Sequence, residues 1–383
     1  MTILYHFRTR GTGAEAVHIS GIVRAFEKMG HRVILSSPTG IDPRQTAGST
    51  PFGEPDSGVH SRGLLRLTRL LPRGLFEVAE ILYNIPAFFR NLRLAKRHDC
   101  NLIYERHAFF LVSTALVARL RGCPLVIEVN ELVGDARIRA QPALAPLARW
   151  TDRFVFRQAR LIVTVSPHLK RRVSQYGIPD DRILVLPNAV SEEEIAPSSS
   201  PLPSFIPHPS SFLLGFIGWL VEWHRLDFLI EALAAPDFAS VVLVIIGDGP
   251  LKPALEAKAR AHGVRVDFAG PLPHSSIPAA IRGMDACVVP HSNEFRSPIK
   301  LFEFMAQGRP VLAPRTEPIE SVVQDGRDAL LFSPLDVKSF RDALRKLLAS
   351  KELCDSIGRS ARAIIAKRHT WEENARQILG NVS

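Results

Sequence analysis

The sequence predicts an α/β protein built from two doubly wound parallel-sheet domains. Short apolar strands alternate with helical segments along most of the chain. The 383-residue length exceeds what one hydrophobic core usually organises. The alternation is interrupted once, over 196–209, where five prolines and several serines prevent regular structure. We therefore expect a first domain over 1–195, a linker over 196–209, a second domain over 210–367, and a ligand between the two domains.

The first domain opens with a strand at Ile3 to Tyr5, the loop Gly11-Thr12-Gly13, and an apolar helical spacing from Ile19 to Met29. A second strand follows over 32–36. Later segments repeat the pattern, with helices near 109–121 and 143–159 and strands in NLIYERH, PLVIEVN, LIVTVS and RILVLPN. The carboxyl ends of such strands carry the ligand-binding loops.

The glycine loop ending at Gly13 lies where helix amides favour an anionic group, so Gly13 is a candidate ligand contact. A plain tight turn explains the glycines equally well. The full G-x-G-x-x-G pattern is absent, and no ribose-binding acid follows the second strand, which argues against NAD.

The second domain repeats the alternation after the linker. It has strands in FLLGFIGWL, VVLVIIGDGP, VRVDFAG, ACVVP and PVLAP, and helices near 226–235, 251–262 and 275–282.

Composition excludes several classes of protein. With 46% hydrophobic and 22% charged residues, the chain is an ordinary globular protein. Four cysteines without a C-x-x-C pair argue against disulfides and structural zinc, and no D-x-D or His/Cys cluster offers metal ligands. The N-terminus lacks a signal peptide, and no apolar run is long enough to span a membrane. We expect a cytoplasmic protein that is neither exported nor integral.

The net charge of +10 predicts an anionic partner. Residues 62–97 hold eight Arg or Lys against two Glu, interleaved with leucines and phenylalanines. This mixture favours an anionic lipid surface, on the inner membrane face, over a nucleic-acid groove. Solvated helices with one face in the core are the alternative.

The segment HSNEFRSPIKLFEFMAQG places charged residues on an apolar helix. Ser297 is a good N-cap and Pro298 suits the first helical position, so a helix should begin at 298. Its free amides and Lys300 form a diphosphate clamp that needs no metal. Glu303 is placed to accept hydrogen bonds from a vicinal diol such as ribose. The alternative is an exposed Lys300–Glu303 pair worth a few tenths of a kcal/mol.

SPIKLFEFMAQGRPVLA resembles the nucleotide-sugar site of the family 4 retaining glycosyltransferases, enzymes of the GT-B fold, in the branch with Ser-Pro-x-Lys-Leu-x-Glu. The resemblance covers nearly the whole chain, including VTVSPHLK, ILVLPNAV, VLVIIGDGPLKPALE, VDFAGPLPHSSIP, DACVVP and DGRDALLFSP. HTWEENARQIL resembles the family's last helix, at about 368–383, which crosses back to the first domain.

The resemblance implies roles in the donor site. Glu303 binds ribose hydroxyls, the 297–300 turn holds the diphosphate or the sugar, and the segment from Phe268 to Leu272 lies against the base. The donor-binding candidates are therefore Glu303, Ser297, Pro298, Ile299, His224, Gly218, Gly270, Leu272 and Gly13.

Two departures from the family pattern stand out. Phe295 replaces the family's acid eight residues before Glu303. After Gly218, Trp219 replaces the usual Arg, and His224-Arg225 replace the usual Lys-Gly. His224 and Arg225 are expected to supply positive charge to the diphosphate, so Arg225 joins Lys300 as a catalytic candidate.

In the first domain, the family's His at the end of a strand corresponds to the neighbourhood of Glu105. Glu105 is a candidate to accept a proton from the acceptor hydroxyl, and an ion pair with Arg106 is the alternative. His107, Asn130 and His18 are the acceptor-binding candidates. Glu128 is assigned to packing or to support of its neighbours.

The sequence thus predicts a metal-independent retaining glycosyltransferase without a cofactor. It moves a sugar from a UDP- or GDP-linked donor to a glycan or lipid-linked acceptor, in surface-polysaccharide or glycoconjugate synthesis. It has no nucleic-acid partner. The alternatives are a sugar-nucleotide epimerase of related fold and a non-catalytic nucleotide-binding scaffold subunit.

Overall fold

The computed structural model describes residues 1–9, 13–46, 73–135, 141–196 and 211–382. Gly11, Thr12, residues 62–72 of the basic segment and most of the proline-rich linker lie outside these ranges. Within the described ranges, no helix is long and apolar enough to cross a bilayer.

Two six-stranded sheets form the framework, and every strand pair in them is parallel. The first has the order β2-β1-β3-β4-β5-β6 and consists of β1 (Thr2–His6), β2 (Arg32–Ser36), β3 (Leu102–Arg106), β4 (Leu125–Val129), β5 (Leu161–Thr164) and β6 (Ile183–Val185). The second has the order β12-β11-β10-β7-β8-β9 and consists of β7 (Phe212–Ile217), β8 (Val241–Ile246), β9 (Val266–Gly270), β10 (Ala286–Val288), β11 (Val311–Pro314) and β12 (Leu330–Phe332). This arrangement confirms the predicted fold class.

The helices of the first half of the chain are α1 (Gly13–Lys28), α2 (Pro43–Thr46), α3 (Arg73–Leu82), α4 (Asn84–Arg97), α5 (Ser113–Arg121), α6 (Ala145–Gln158), α7 (Pro167–Ser174) and α8 (Glu192–Ile195). Those of the second half are α9 (Leu226–Leu233), α10 (Lys252–Ala261), α11 (Ile277–Arg282), α12 (Ile299–Ala306), α13 (Glu317–Glu320), α14 (Val337–Ala349), α15 (Lys351–Arg368) and α16 (Trp371–Val382). The helices for which the sequence analysis gave bounds begin or end within a few residues of them.

Each sheet is buried on both faces, as its strand sequences require. Strand β8 reads VVLVII, and all six side chains are buried, because helices cover a parallel sheet on both sides. Two apolar clusters of the second half and two of the first fill the spaces between sheet and helices.

The last helix, α16, packs against the first sheet's helix α1. A Cβ atom on Gly21 of α1 would lie 2.4 Å from the indole Nε1 of Trp371, so glycine is required for this close approach. Val190 and Thr370 also form a β-bridge next to this contact. The C-terminal helix therefore belongs to the core of the first half of the chain, although the exact domain boundaries stay a prediction.

The start of α12 differs from the prediction. The helix begins at Ile299, and Pro298, with φ −75° and ψ 113°, is its extended N-cap residue. The Ser297 hydroxyl does not cap the helix, because it accepts a hydrogen bond from the backbone N–H of Asn188 at 2.9 Å. Ser297 instead joins the two halves of the chain.

Candidate active site

Lys300, in the first turn of α12, is a buried cation without a hydrogen-bond partner. Its residue is 8% exposed, and its Nζ atom makes no hydrogen bond within the described part of the chain. The Nζ atom lies 4.1 Å from the centre of the Phe216 ring, a cation–π contact. Burial lowers the pKa of Lys300 to about 7, although the charge of Glu303 acts in the opposite direction. Because an unpaired buried charge is costly, this side chain is suited to meet an anion.

The loop after β7 leaves open the space beside Lys300. Gly218 has φ 152°, and a Cβ atom there would lie 2.7 Å from the Lys300 Nζ atom and 3.6 Å from His224 Nε2. Gly247, at the end of β8, approaches the same loop, since its Cβ would lie 2.1 Å from the Gly218 carbonyl oxygen. A side chain at either glycine would displace the atoms around the cation.

His224 faces this space as a neutral ring. Burial lowers its pKa strongly, and the charges of Lys300, Arg296 and His291 lower it further. The expectation that His224 supplies positive charge is therefore wrong for the ligand-free protein. A neutral imidazole can still donate one hydrogen bond.

Arg225 takes the left-handed backbone conformation, with φ 51°, at the position where the resembled family has glycine. Its guanidinium group pairs with Asp227 through Nε at 3.1 Å and Nη2 at 3.0 Å, and the side chain is 37% exposed. The Arg225 guanidinium is thus paired with the Asp227 carboxylate, and the catalytic role of Arg225 stays a prediction.

Arg296 is a second site cation that the motif comparison missed. It immediately precedes Ser297, its guanidinium lies over the Phe295 ring at 5.4 Å, and its charge acts on His224. Burial lowers the pKa of Arg296, but an arginine stays charged at neutral pH. Its adjacency to the Ser-Pro turn was the only signal in the sequence.

Glu303 lies one turn beyond Lys300 and is 5% exposed. Its Oε1 atom is 3.4 Å from His274 Nε2, while Oε2 has no hydrogen-bond partner in the described residues. The interpretation of Lys300 and Glu303 as an exposed surface pair is therefore wrong. Glu303 offers a carboxylate oxygen to a ligand, as a ribose-binding residue must.

A small pocket adjoins Glu303, lined also by Glu194, His274, Ile277, Ile281 and Gln307. Burial lowers the pKa of His274, but Glu303 and Glu194 raise it more, so that the net direction is upward. The ligand atoms of Glu194, His274 and Glu303 lie within 4.8 Å of one another, which makes them the group of described residues that could hold a metal ion.

The segment expected against the base follows strand β9. All five β9 residues are half-buried, including Gly270, which has φ 75° and whose carbonyl oxygen accepts a hydrogen bond from Gly247 N–H at 2.9 Å. Leu272 packs partly against the core. This edge of the sheet is therefore accessible beside Gly247 and Gly218.

On the first sheet, the polar residues converge on Glu128. This carboxylate is 2% exposed, accepts hydrogen bonds from Tyr104 at 2.8 Å, Arg106 at 2.6 Å and Asn130 at 2.7 Å, and lies 3.0 Å from His18 Nε2. Burial raises the pKa of Glu128, but His18 and Arg106 together hold it well below its usual range. Glu128 is thus the organising residue of this group, a role that the sequence did not reveal.

The structure brings His18 and Asn130 together but separates them from Glu105 and His107. Glu105 is fully buried, accepts a hydrogen bond from Thr114 and has an unpartnered Oε1 atom within the described residues. Burial raises its pKa to about 7, the value of a neutral-pH base, although Thr114 opposes the shift. The alternative prediction of an ion pair between Glu105 and Arg106 is wrong, because Arg106 pairs with Glu128.

His107 does not face a cleft. Its side chain is 2% exposed, and its Nε2 atom lies 2.9 Å from Asp152 Oδ1. Burial lowers the pKa of His107, and Asp152 more than offsets this, leaving the pKa raised. In this structure His107 is a paired core residue, and an acceptor contact would require a change of conformation.

Comparisons with known proteins identify the family of the chain. The Glycosyltransferase Family 4 model matches residues 15–194, and the Glycosyl transferases group 1 model matches 211–350. Alpha-D-kanosaminyltransferase of Streptomyces kanamyceticus is 24% identical over 279 residues, which cover 69% of this chain and 72% of that protein. D-inositol 3-phosphate glycosyltransferase of Pseudarthrobacter chlorophenolicus is 25% identical over 391 residues, covering 95% and 88%.

Solved structures share the fold over the whole chain. Anabaena HepE in complex with UDP-glucose has a TM-score of 0.70 at 17% identity and covers 99% of both chains. Sucrose-phosphate synthase from Thermosynechococcus elongatus has a TM-score of 0.73 at 16% identity and covers 99% of this chain and 98% of that one. The chain belongs to the family 4 type of glycosyltransferases and has the GT-B fold. It is a glycosyltransferase.

Proposed function

We propose that the protein transfers a sugar, with retention of configuration, from a nucleoside-diphosphate donor to a glycan or lipid-linked acceptor in surface-polysaccharide or glycoconjugate synthesis. The donor is UDP- or GDP-linked. The observation that carries the proposal is the buried, unpartnered Lys300 Nζ atom beside Gly218 at the start of α12. The binding of UDP-glucose by the structurally similar HepE supports a nucleotide-sugar donor.

The leaving diphosphate would be stabilised by fixed positive charge. The first amides of α12 point away from the helix towards its N-terminus, where they and the Lys300 ammonium favour an anion. Charge develops on the diphosphate as the bond to the sugar breaks, so these groups bind the transition state better than the ground state. Arg296 and the neutral His224 complete the surroundings of the departing group.

Glu303 would hold the nucleoside. Its unpartnered Oε2 and the Oε1 atom near His274 can accept the two hydroxyl protons of a ribose. The base would then lie along the half-buried edge from Phe268 to Leu272. Under this proposal the nucleotide binds the second half of the chain and the acceptor binds the first.

We propose metal-independent transfer, because Lys300 and the α12 amides already supply the positive charge that a divalent ion supplies elsewhere. Full activity in the presence of EDTA is the expected result. Activity lost with EDTA and restored by a divalent ion would overturn metal independence and would direct attention to Glu194, His274 and Glu303.

The donor site is tested by Lys300→Ala and Glu303→Ala. Each substitution should lower donor turnover by at least about tenfold, or about 1.4 kcal/mol of transition-state stabilisation. Initial rates with UDP- and GDP-sugars measure the effect, and Lys346→Ala, which removes an exposed helical lysine, is the matched control.

Wild-type rates in both donor-site variants would contradict the assignment. The same assay separates the alternative functions. Donor conversion without any acceptor indicates an epimerase, and nucleotide binding without transfer indicates a scaffold subunit.

We further propose that the enzyme works on a membrane surface, through the layer of helices α3 to α6. These helices are joined edge to edge. Glu77 on α3 accepts hydrogen bonds from the Ala143 and Leu144 N–H groups at the start of α6, at 2.6 and 2.8 Å. Asn84 on α4 accepts from the N–H groups of Val112 and Ser113 at the start of α5. One continuous surface results.

This surface is apolar to an unusual degree. Phe89, Trp150 and Leu120 are each more than 60% exposed. Of the thirteen large hydrophobic residues that are exposed in the described chain, ten belong to this layer: Leu75, Val78, Leu82, Ile85, Phe89, Leu116, Leu120, Leu144, Leu147 and Trp150. The five on α3 and α4 recur every three or four residues and so form a single stripe. Such a patch on a soluble protein marks a docking surface.

The charges on the same helices select the partner. Their exposed charged side chains, so far as the structure describes them, are all basic: Arg93, Lys96, Arg97, Arg119, Arg149, Arg153 and Arg157. Apolar residues among cations match the interface of an anionic bilayer. The proposed membrane surface therefore adds helices α5 and α6 to the predicted segment 62–97, and such a location suits a lipid-linked acceptor.

Vesicle cosedimentation tests the membrane surface. Wild-type protein should bind vesicles containing phosphatidylglycerol, bind neutral phosphatidylcholine vesicles weakly, and dissociate as salt is raised. The double variant Phe89→Ser, Trp150→Ser should lose at least about tenfold in affinity, since two large side chains leave the interface. Leu335→Ser, an exposed leucine of the second half, is the control. Equal binding to both vesicle types, or none, would reject the proposal.

A further inference from the structure

The three residues before Pro298, Phe295 to Ser297, are bound to the first half of the chain; we call them the strap. The Ser166 hydroxyl, at the N-cap of α7, donates a hydrogen bond to the Phe295 carbonyl oxygen at 2.9 Å. Asn188, after β6, donates from its backbone N–H to Ser297 Oγ at 2.9 Å and from Nδ2 to the Ser297 carbonyl oxygen at 2.6 Å. Ser166, Asn188 and Ser297 are all buried. The strap is therefore held from outside the domain that carries α12.

Phe295 adds an apolar anchor to these hydrogen bonds. It is 4% exposed and belongs to the core cluster that contains Leu132, Val165 and Leu169 of the first half. Where the resembled family has an acid, this chain has a side chain buried in the opposite domain. Because burial of a large apolar side chain is favourable, Phe295 stabilises the contact between the strap and the first half.

The Asn188 side chain is itself held by His18. Because Nδ2 of Asn188 donates to the Ser297 carbonyl, its Oδ1 atom must accept from His18 Nδ1, at 2.7 Å. The other ring nitrogen, Nε2, lies 3.0 Å from Glu128 Oε1. Both nitrogens of His18 thus face oxygen atoms of neighbouring side chains. An unbroken chain of hydrogen bonds runs from Glu128 through His18 and Asn188 to Ser297.

We propose that Asn188 is a positioning residue for sugar transfer and that His18 orients it. The pair fixes Ser297, three residues before Lys300, and so sets the α12 amides and the Lys300 ammonium relative to the acceptor side of the cleft. The inference rests on the proposed transfer reaction. The proposed nucleotide contacts come from residues of the second half of the chain, which the strap leaves in one domain, whereas transfer needs both halves in register.

Asn188→Ala and the nearly isosteric Asn188→Asp test the role. Asp keeps an acceptor for His18 but cannot donate to the Ser297 carbonyl. We expect kcat to fall by about 10- to 100-fold in both variants, because small misplacements of catalytic groups have effects of this size. The Kd for UDP or GDP, by titration calorimetry, should stay within about twofold. Asn91→Ala, which removes a fully buried asparagine bonded to Ser36 instead, should keep the wild-type kcat.

A double-mutant cycle tests the relay. His18→Gln should lower kcat, and His18→Gln combined with Asn188→Ala should be no slower than Asn188→Ala alone, because the chain is already broken. Wild-type kcat in both Asn188 variants, equal losses in kcat and nucleotide affinity, or multiplicative effects in the double variant would each overturn the inference. If the wild-type protein transfers no sugar, the positioning role and the proposed function are both overturned. Transfer by wild type with an unaffected Asn188→Asp variant overturns the positioning role alone.

Discussion

The two halves of the molecule differ in whether a buried charge has partners of its own. In the first, Glu128 is surrounded by Tyr104, Arg106, Asn130 and His18, so its charge is fully compensated before any ligand binds. In the second, Lys300 is also buried, but its Nζ atom lies against the face of Phe216 and makes no hydrogen bond within the described residues. A compensated charge maintains a fixed arrangement, whereas an uncompensated one is completed by a ligand of opposite sign. Under the proposed function, the first half is therefore the preorganised platform and the second half receives the anionic leaving group.

The largest effect on stability is expected from Glu128→Ala. The substitution leaves Arg106, His18 and the Tyr104 hydroxyl without their shared acceptor in a buried site. Removing one partner of such a group should destabilise the protein by about 3 to 5 kcal/mol. Urea unfolding at pH 7 measures the loss. As a control, Glu320→Ala, which breaks the exposed pair with Arg315, should change stability by less than about 1 kcal/mol. A Glu128→Ala variant within about 1 kcal/mol of wild type would contradict the account of the first half.

The fold was predictable because local patterns determine it. Strands such as VVLVII and the helices between them carry a periodicity that needs no knowledge of distant residues. That Lys300 and Glu303 lie one turn apart on the same short helix was predictable for the same reason. Most of the wrong or incomplete assignments involve contacts between residues distant in sequence, although the pair of Arg225 with Asp227 is local.

Ser297 illustrates such a contact. Its position before Pro298 is typical of an N-cap, but Asn188, 109 residues earlier, takes its hydroxyl. Along β3, Glu105 and Arg106 point to opposite sides of the strand, and the sequence does not indicate which side faces the cleft. Phe295 was recognisable as a missing acid, but its burial in the other half depends on how the domains meet.

Burial of Lys300 also makes stability depend on pH. Its pKa is about 7 in the folded protein against a model value of 10.5, so the unfolded chain holds an extra proton between these values. Stability of the ligand-free protein should therefore rise with pH across this window through this group, and the cost of burial is fully present below about pH 7.

Urea unfolding of the Lys300→Met variant, with and without saturating UDP or GDP, tests the central claim that the donor diphosphate completes the charge of Lys300. At pH 7 the ligand-free variant should be more stable than wild type by about 1 kcal/mol or more, because an apolar side chain of similar length replaces a buried unpaired cation. Nucleotide should stabilise wild type clearly and the variant little. A variant that is less stable without nucleotide, and that gains as much as wild type from it, would contradict the claim.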